Sequence, residues 1–167
     1  LQLEIGNDNN LVVAALAKKA GWKVVLTPAP SSEFDSKLLE FIDIITLNET
    51  EVTQIAGGAD FESAGAELSK SVGLVFVTQG AKGVSVFADG QLLGHVDAMA
   101  VDSIDATGAG DTFCGYVVAG LAQGLTPLEA AELGTVAAGI SVQSRGASNS
   151  IPLRQEVDSL MLERRKG

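Results

Sequence analysis

One cysteine, one histidine, one tryptophan and one tyrosine occur in 167 residues. Cys114 stands alone, so no intrachain disulfide can form, and a reducing compartment, the cytoplasm, is the expected location. A lone histidine cannot build a cluster of imidazole metal ligands, and His95, at the end of a strand-like stretch, is given no role. Aromatic residues make up 5% of the chain, too few for a platform on which bases stack. Basic residues are also scarce: 11 Lys and Arg against 21 Asp and Glu leave a net charge of −10. That balance argues against a nucleic-acid backbone or an anionic membrane surface as the main partner. It does not exclude a local anion site built from backbone N–H groups. No apolar run approaches the roughly 20 residues of a membrane span. The opening "LQLEIGNDNN" lacks the basic-then-apolar order of a signal peptide and has no initiator Met, so a longer protein is expected.

What the chain does hold is 46% apolar residues and 19 glycines. Such a composition, in a chain of this length, predicts one compact globular unit over residues 1–167. The spacing over residues 8–20 predicts a helix stopped by Gly21. "WKVVLTPAP" reads as a strand ended by Pro28 and Pro30. "FDSKLLEF" reads as a short helix, and the nearly continuous apolar "DIITLN" as a strand buried on both faces of a parallel sheet. A helix begins at "NETEVTQIA" and stops at Gly57-Gly58; another runs through "DFESAGAELSKSVG", with Asp60 as its N-cap and Gly73 as its stop. Residues 74–96 read as strand, glycine-bearing turn, strand, Asp-Gly hairpin turn, strand. A helix of small residues covers 111–123. Thr126-Pro127-Leu128-Glu129 is a capping box that opens the next helix. After the polar loop "SRGASNSIP", the last helix places Leu153, Val157, Leu160 and Met161 on one face. Helices alternating with apolar strands predict an α/β sheet covered on both faces.

"DATGAGDTF", residues 105–113, carries the chemistry. Gly108, Ala109 and Gly110 precede an apolar helix, so no bulky side chain blocks the first amides. Those amides have no intrahelical partner and carry partial positive charge, which makes an anion hole. Asp111, in the first turn, can orient a hydroxyl and accept its proton. A second reading stays open: Asp111 complements the helix dipole and the glycines form a tight turn. No Lys-Ser/Thr follows the glycines, so the stretch is not a P-loop.

"DATGAGDTFCGYVVAGL" resembles the C-terminal signature of ribokinase-like carbohydrate kinases. "LQLE", "LTPAP", "DIITLNETE", "VTQGAKGV", "VDSIDATGAGDTF" and "SRGASNSIP" resemble, in order, segments of that family's second half. The resemblance implies a Rossmann-type three-layer sandwich, here its C-terminal half with the lid and the sugar-binding half absent. It implies an ATP-dependent kinase that phosphorylates the primary hydroxyl of a small sugar, ribose first. Asp111 is then the catalytic base, and Gly108, Ala109 and Gly110 the anion hole. Asn48 is on the phosphate side of the nucleotide and Glu51 on magnesium through water. As plain sequence, Asn48 and Glu51 also make an ordinary capped helix start. Thr78, Gly80 and Gly83 resemble the nucleotide-contact turn, which is equally an ordinary strand-to-strand turn. Thr135 falls where the family contacts adenine, and equally where a Thr packs a helix.

The family's monovalent-cation site, occupied by potassium, maps by position to Asp105, Thr107, Ser141, Ser144, Gly146 and Ser150. The same loop also reads as a solvated polar segment. "VQSRGA" departs from the family, with Ser144-Arg145 where two consecutive polar or basic residues are common. The family's sugar-binding Asp, its Gly-Gly-Asn substrate motif and its lid strands are missing. The chain alone is therefore expected to turn over weakly or not at all, and its sheet edge to be covered by a missing N-terminal half or by a second copy. Other small-sugar or nucleoside kinases (fructokinase-like, ketodeoxygluconate kinase-like) and a non-catalytic nucleotide-binding fragment remain the alternatives.

Overall fold

The computed structural model describes residues 1–164. The chain order is helix α1 (Asn7–Lys19), strand β1 (Val25–Leu26), strand β2 (Ile44–Asn48), helices α2 (Glu49–Ala56) and α3 (Phe61–Leu68), and strands β3 (Leu74–Thr78), β4 (Val84–Ala88) and β5 (Gln91–Val96). Helices α4 (Ala109–Ala122), α5 (Pro127–Ser141) and α6 (Arg154–Arg164) follow. The strands form a mixed five-stranded sheet in the order β1-β2-β3-β4-β5, so the expected α/β class holds. The chain divides into two compact units. The first is Leu1–Gln79 with Ser85–Gly94, and the second is Gly80–Val84 with the chain from His95 on.

In the first unit, β2 and β3 pair in parallel over five residues, from Ile44↔Leu74 to Asn48↔Thr78. Their interior residues Ile45, Leu47, Val75 and Val77 are buried, as the unbroken apolar runs predicted. Together with Leu26, Val52, Leu68 and Phe87 they form the core of this unit. Burying each such side chain contributes roughly 1.5–3 kcal/mol. Asp43, just before β2, accepts hydrogen bonds from Lys18 at 2.8 Å, Lys23 at 3.2 Å and the Val24 amide at 2.8 Å. Burial alone would raise the Asp43 carboxyl, but these three donors outweigh it and hold the group below its ordinary value. The carboxylate thereby ties α1 to the start of the sheet.

Local chemistry sets most element ends. Asp60 caps α3 by accepting from the Ser63 amide at 2.8 Å. Asp89 and Gly90 both adopt positive φ, 51° and 78°, as a tight hairpin between β4 and β5 requires. Other ends differ from expectation. "WKVVLTPAP" yields only Val25–Leu26 as strand: before it the Trp22 amide donates to the Ala17 carbonyl at 2.9 Å and the Val24 amide to the Asp43 carboxylate at 2.8 Å, and after it Pro28 and Pro30 have no N–H to give a ladder. "FDSKLLEF" forms a 3-10 helix, Ser36–Glu40. Helix α3 stops at Leu68, five residues before Gly73, and Ser69 takes the C-cap.

In the second unit, α4 and α5 approach closely because Gly134 has no side chain. A Cβ there would lie 2.8 Å from both Phe113 and Val117. Leu133, Val136, Ala137, Val157 and Met161 form this unit's core, with Tyr116 and Leu160 packed against it. The Tyr116 hydroxyl donates to the Pro152 carbonyl at 2.8 Å, and burial raises its pKa. Leu153, expected on the buried face of α6, is 73% exposed. It precedes the helix, and its amide donates to Glu156 at 2.6 Å. None of the helices among the described residues is long and apolar enough to cross a membrane.

Candidate active site

In the first unit, candidate residues gather where β2 and β3 end. Asn48 is at once the last residue of β2 and the N-cap of α2. Its Oδ1 accepts from the amides of Thr50 and Glu51, each at 2.9 Å. Glu51 returns one carboxylate oxygen to the Asn48 amide at 2.8 Å, completing a capping box. The ordinary helix start is therefore real, and it leaves polar atoms over. The exposed Asn48 keeps its Nδ2 without a partner among the described residues, and Glu51 keeps one oxygen. Thr78, the register partner of Asn48, donates its hydroxyl to the Leu47 carbonyl at 3.3 Å. Open α/β sheets bind ligands outside the carboxyl ends of their strands, and this rim is such a place.

In the second unit, the glycine bend before α4 has the expected form. Gly108 is its N-cap, with φ 76° in the left-handed region. A Cβ there would also lie 3.1 Å from the Ala147 Cβ, so the position admits only glycine without strain. Asp111 is exposed, in the first turn. The Ala109 amide reaches the Ala106 carbonyl at 3.2 Å, and the Thr112 amide reaches the Gly108 carbonyl at 2.9 Å. The amides of Gly108, Gly110 and Asp111 have no acceptor among the described residues. A Cβ on Gly110 would meet nothing within 4 Å, so open space lies in front of the bend.

Asp105 organises the loop that leads into this bend. Its Oδ1 accepts from the Thr107 amide at 3.0 Å and the Thr107 hydroxyl at 2.7 Å. Its Oδ2 accepts from the Gly146 amide at 2.9 Å, tying the 144–150 loop to the 105–108 loop. The Gly146 amide, then the two Thr107 donors, hold the Asp105 carboxyl down at about 2. Asp105, Thr107 and Gly146 thus meet on one carboxylate. The buried Ser141 and Ser150 donate their hydroxyls to the carbonyls of Ala138 and Ala147, each at 2.8 Å. Ser144 is exposed, and its amide donates to the Ser141 carbonyl at 3.2 Å. The donors proposed for a cation are all oxygens and include one carboxylate, a set suited to a hard cation. No three His, Cys, Asp or Glu residues cluster to hold a metal among the described residues. A nucleotide-borne magnesium, kept mainly by phosphates and water, does not need such a cluster.

Gly80 is exposed with φ 56°, and nothing lies within 4 Å of a Cβ built on it. Gly83 differs: its Cβ would sit 2.0 Å from the Val96 carbonyl oxygen, so packing alone demands glycine there. Thr135 is 8% exposed, and its hydroxyl has no partner among the described residues; the Thr112 hydroxyl is in the same position. His95 Nε2 lies 2.9 Å from the Lys82 carbonyl oxygen. Cys114 is half-buried.

Sequence reasoning missed three residues that shape these loops: Ala106, whose carbonyl occupies an amide, Ala147, which closes over Gly108, and Asn149. A Cβ on Gly146 would lie 2.2 Å from the Asn149 side-chain oxygen. The Asp-x-Thr spacing at 105–107 signals a side-chain-capped turn. No local signal marks the contacts of residues 147 and 149.

Residues 1–154 match the model of the pfkB family of carbohydrate kinases. A ribokinase of Haemophilus influenzae is 43% identical over 162 residues, which cover 93% of this chain and 53% of that protein. The solved ribokinase of Arabidopsis thaliana, complexed with ribose and ATP, superposes with a TM-score of 0.85 at 34% identity, over 96% of this chain and 54% of that one. A ribokinase structure from Thermotoga maritima gives a TM-score of 0.81 at 32% identity, over 89% of this chain and 52% of that one. The chain spans about half the length of the curated relatives it matches.

Proposed function

The chain belongs to the pfkB family of carbohydrate kinases, and on that premise we propose that it is the phosphoryl-transfer portion of a ribokinase. The reaction moves the γ-phosphate of ATP to the primary hydroxyl of D-ribose. The observation that carries this reading is the exposed Asp111 beside the unengaged amides of Gly108 and Gly110. The sugar oxygen attacks the γ-phosphorus, the bond from that phosphorus to the β–γ bridging oxygen breaks, and ADP leaves. Asp111 accepts the hydroxyl proton. The amides and the positive end of α4 face the negative charge of the migrating group. With Ala109 already sharing its amide with Ala106, the hole rests mainly on Gly108, Gly110 and the Asp111 amide.

Asn48 Nδ2, the Thr78 hydroxyl and the backbone at Gly80 and Gly83 serve the nucleotide, and the Thr135 hydroxyl serves its base. Magnesium carried by the nucleotide would neutralise phosphate charge, and Glu51 would hold it through water with its free oxygen. Potassium would be held by oxygens of Asp105, Thr107, Ser141, Ser144, Gly146 and Ser150 and would add positive charge near the bend. The relatives named as ribokinases, one of them solved with ribose and ATP, support ribose and ATP as substrates. The net charge of −10 supports a small-molecule partner rather than a nucleic acid or a membrane.

Phosphoryl transfer depends on positioning, and the chain covers half of its relatives' length. The isolated polypeptide is therefore a nucleotide binder that turns over weakly or not at all, and a sugar-binding half like that of the relatives, or a second copy, would cover its sheet edge. Calorimetry with ATP and a coupled ADP-release assay with ribose, magnesium and potassium test this together. ATP binding with little turnover is the expected result. An absence of ATP binding overturns the kinase reading. Rapid turnover on another sugar or a nucleoside shifts the substrate to a fructokinase-like or related enzyme.

A further inference from the structure

Between Lys82 and Arg154 the sequence holds a single lysine or arginine, Arg145, against seven aspartates and glutamates. In so acidic a stretch an arginine is expected to pair with a carboxylate. Arg145 does not: it is exposed, and it makes no ion pair among the described residues.

Its backbone is held firmly. The next amide, that of Gly146, is fixed on Asp105 at 2.9 Å. The Arg145 carbonyl accepts from the Asn149 side chain at 3.3 Å. Two residues on, Ala147 presses on Gly108, the N-cap of α4, at the 3.1 Å a Cβ would find there. The loop that carries Arg145 is therefore moored against the bend whose amides are unengaged, while the guanidinium itself is uncommitted. A charge held on a fixed stem loses little backbone entropy when it engages a ligand.

We propose that Arg145 is a phosphate-binding residue, whose guanidinium takes the terminal phosphate of ATP at the α4 bend. This inference rests on the kinase reading. The helix end offers only about half a unit charge, which is small beside that of a triphosphate. A guanidinium adds a full charge and a planar fork of donors that matches two phosphate oxygens. It supplies that charge in a region where carboxylates otherwise repel the nucleotide.

The test is calorimetric titration of the chain with ATP and with ADP, in the presence of magnesium, for the parent, Arg145→Ala, Arg145→Lys and the surface control Lys19→Ala. Both alanine variants change the net charge equally, so the control isolates position from charge. Arg145→Ala is expected to weaken ATP roughly 10–100-fold, as loss of a hydrogen-bonded charge pair does, and to weaken ADP by much less. Arg145→Lys should recover part of the loss, and Lys19→Ala should match the parent. The proposal falls if Arg145→Ala binds ATP within about two-fold of the parent, or weakens ATP and ADP equally; in both cases the parent still binds ATP and the kinase reading stands. If the parent binds no ATP, the kinase reading fails and the role of Arg145 goes with it.

Discussion

Thr78 stands directly opposite Asn48 in the β2–β3 ladder, so the last residues of two neighbouring parallel strands share one rim of the sheet. Asn48 does two things with one side chain there. Its oxygen caps α2, and its nitrogen has no partner among the described residues. Asn48→Asp separates the two roles, since aspartate caps as well as asparagine does. Thermal unfolding should stay within about 0.5 kcal/mol of the parent, while ATP affinity falls about ten-fold or more as a donor becomes a negative charge. Paired scanning and titration calorimetry check this. An unchanged ATP affinity would leave Asn48 with the cap alone.

Asp111→Asn keeps the size and position of the side chain and removes its basicity. In a turnover-competent form, the chain completed by the sugar-binding half of a relative, kcat should drop roughly 10²–10⁴-fold. ATP affinity should hold or rise slightly, because a negative charge leaves the phosphate site. Steady-state kinetics with ribose, beside calorimetry with ATP, separate the two effects. A loss below ten-fold would remove Asp111 from the proton transfer.

The elements legible in the sequence were those written in local chemistry. Asp60 and Thr126 cap their helices as their side chains dictate, and Asp89-Gly90 turns the hairpin. The bend at Gly108 was legible for the same reason, since a positive φ is paid for most cheaply by glycine. What stayed hidden depends on residues far apart in sequence. Nothing near Gly108 announces Ala147, and nothing near Gly83 announces the Val96 carbonyl. Gly83 looked like a glycine for a nucleotide, and packing already requires it. The short β1 and Leu153 show the same limit from the other side. Apolar character alone does not say which residues find a partner.

The two glycines of the bend should respond in opposite ways. Gly108→Ala meets both a left-handed φ and the Ala147 side chain, and should destabilise by about 1–3 kcal/mol. Gly110→Ala has ordinary helical backbone and open space, so stability should hold or improve by up to about 1 kcal/mol. Its new methyl group enters the space before the amides, so ATP should bind more weakly. Denaturant melts and ATP titrations of both variants test the pairing. Equal ATP affinity for Gly110→Ala and the parent would place the phosphates elsewhere.

Asp105 predicts a pH dependence with a definite sign. Its carboxyl is held at about 2, below the ordinary 3.8, mainly by the Gly146 amide. A lowered carboxylate pKa stabilises the fold at pH values above the ordinary one, and that contribution is lost as pH falls through the lowered value. Asp105→Asn should therefore be less stable than the parent at pH 7. The gap should start to narrow near the ordinary pKa of 3.8 and close as pH falls through about 2. Chemical denaturation across this range checks it. A gap independent of pH would mean that the loop is held by shape rather than by the ionised carboxylate.

Thr112 and Thr135 carry buried hydroxyls without partners among the described residues. A buried hydroxyl left unsatisfied costs roughly 1–3 kcal/mol, and valine removes it at nearly constant volume. Thr112→Val should accordingly raise the stability of the nucleotide-free chain by about 1 kcal/mol. Thr135→Val should do the same without nucleotide, and the two variants should part once ATP is added. If the Thr135 hydroxyl serves the adenine, its removal lowers ATP affinity several-fold, whereas Thr112→Val leaves affinity unchanged. Melting curves with and without ATP measure both quantities in one series. A destabilised Thr135→Val without nucleotide would mean that its hydroxyl already has an internal partner, such as a trapped water, and is not held in reserve for a base.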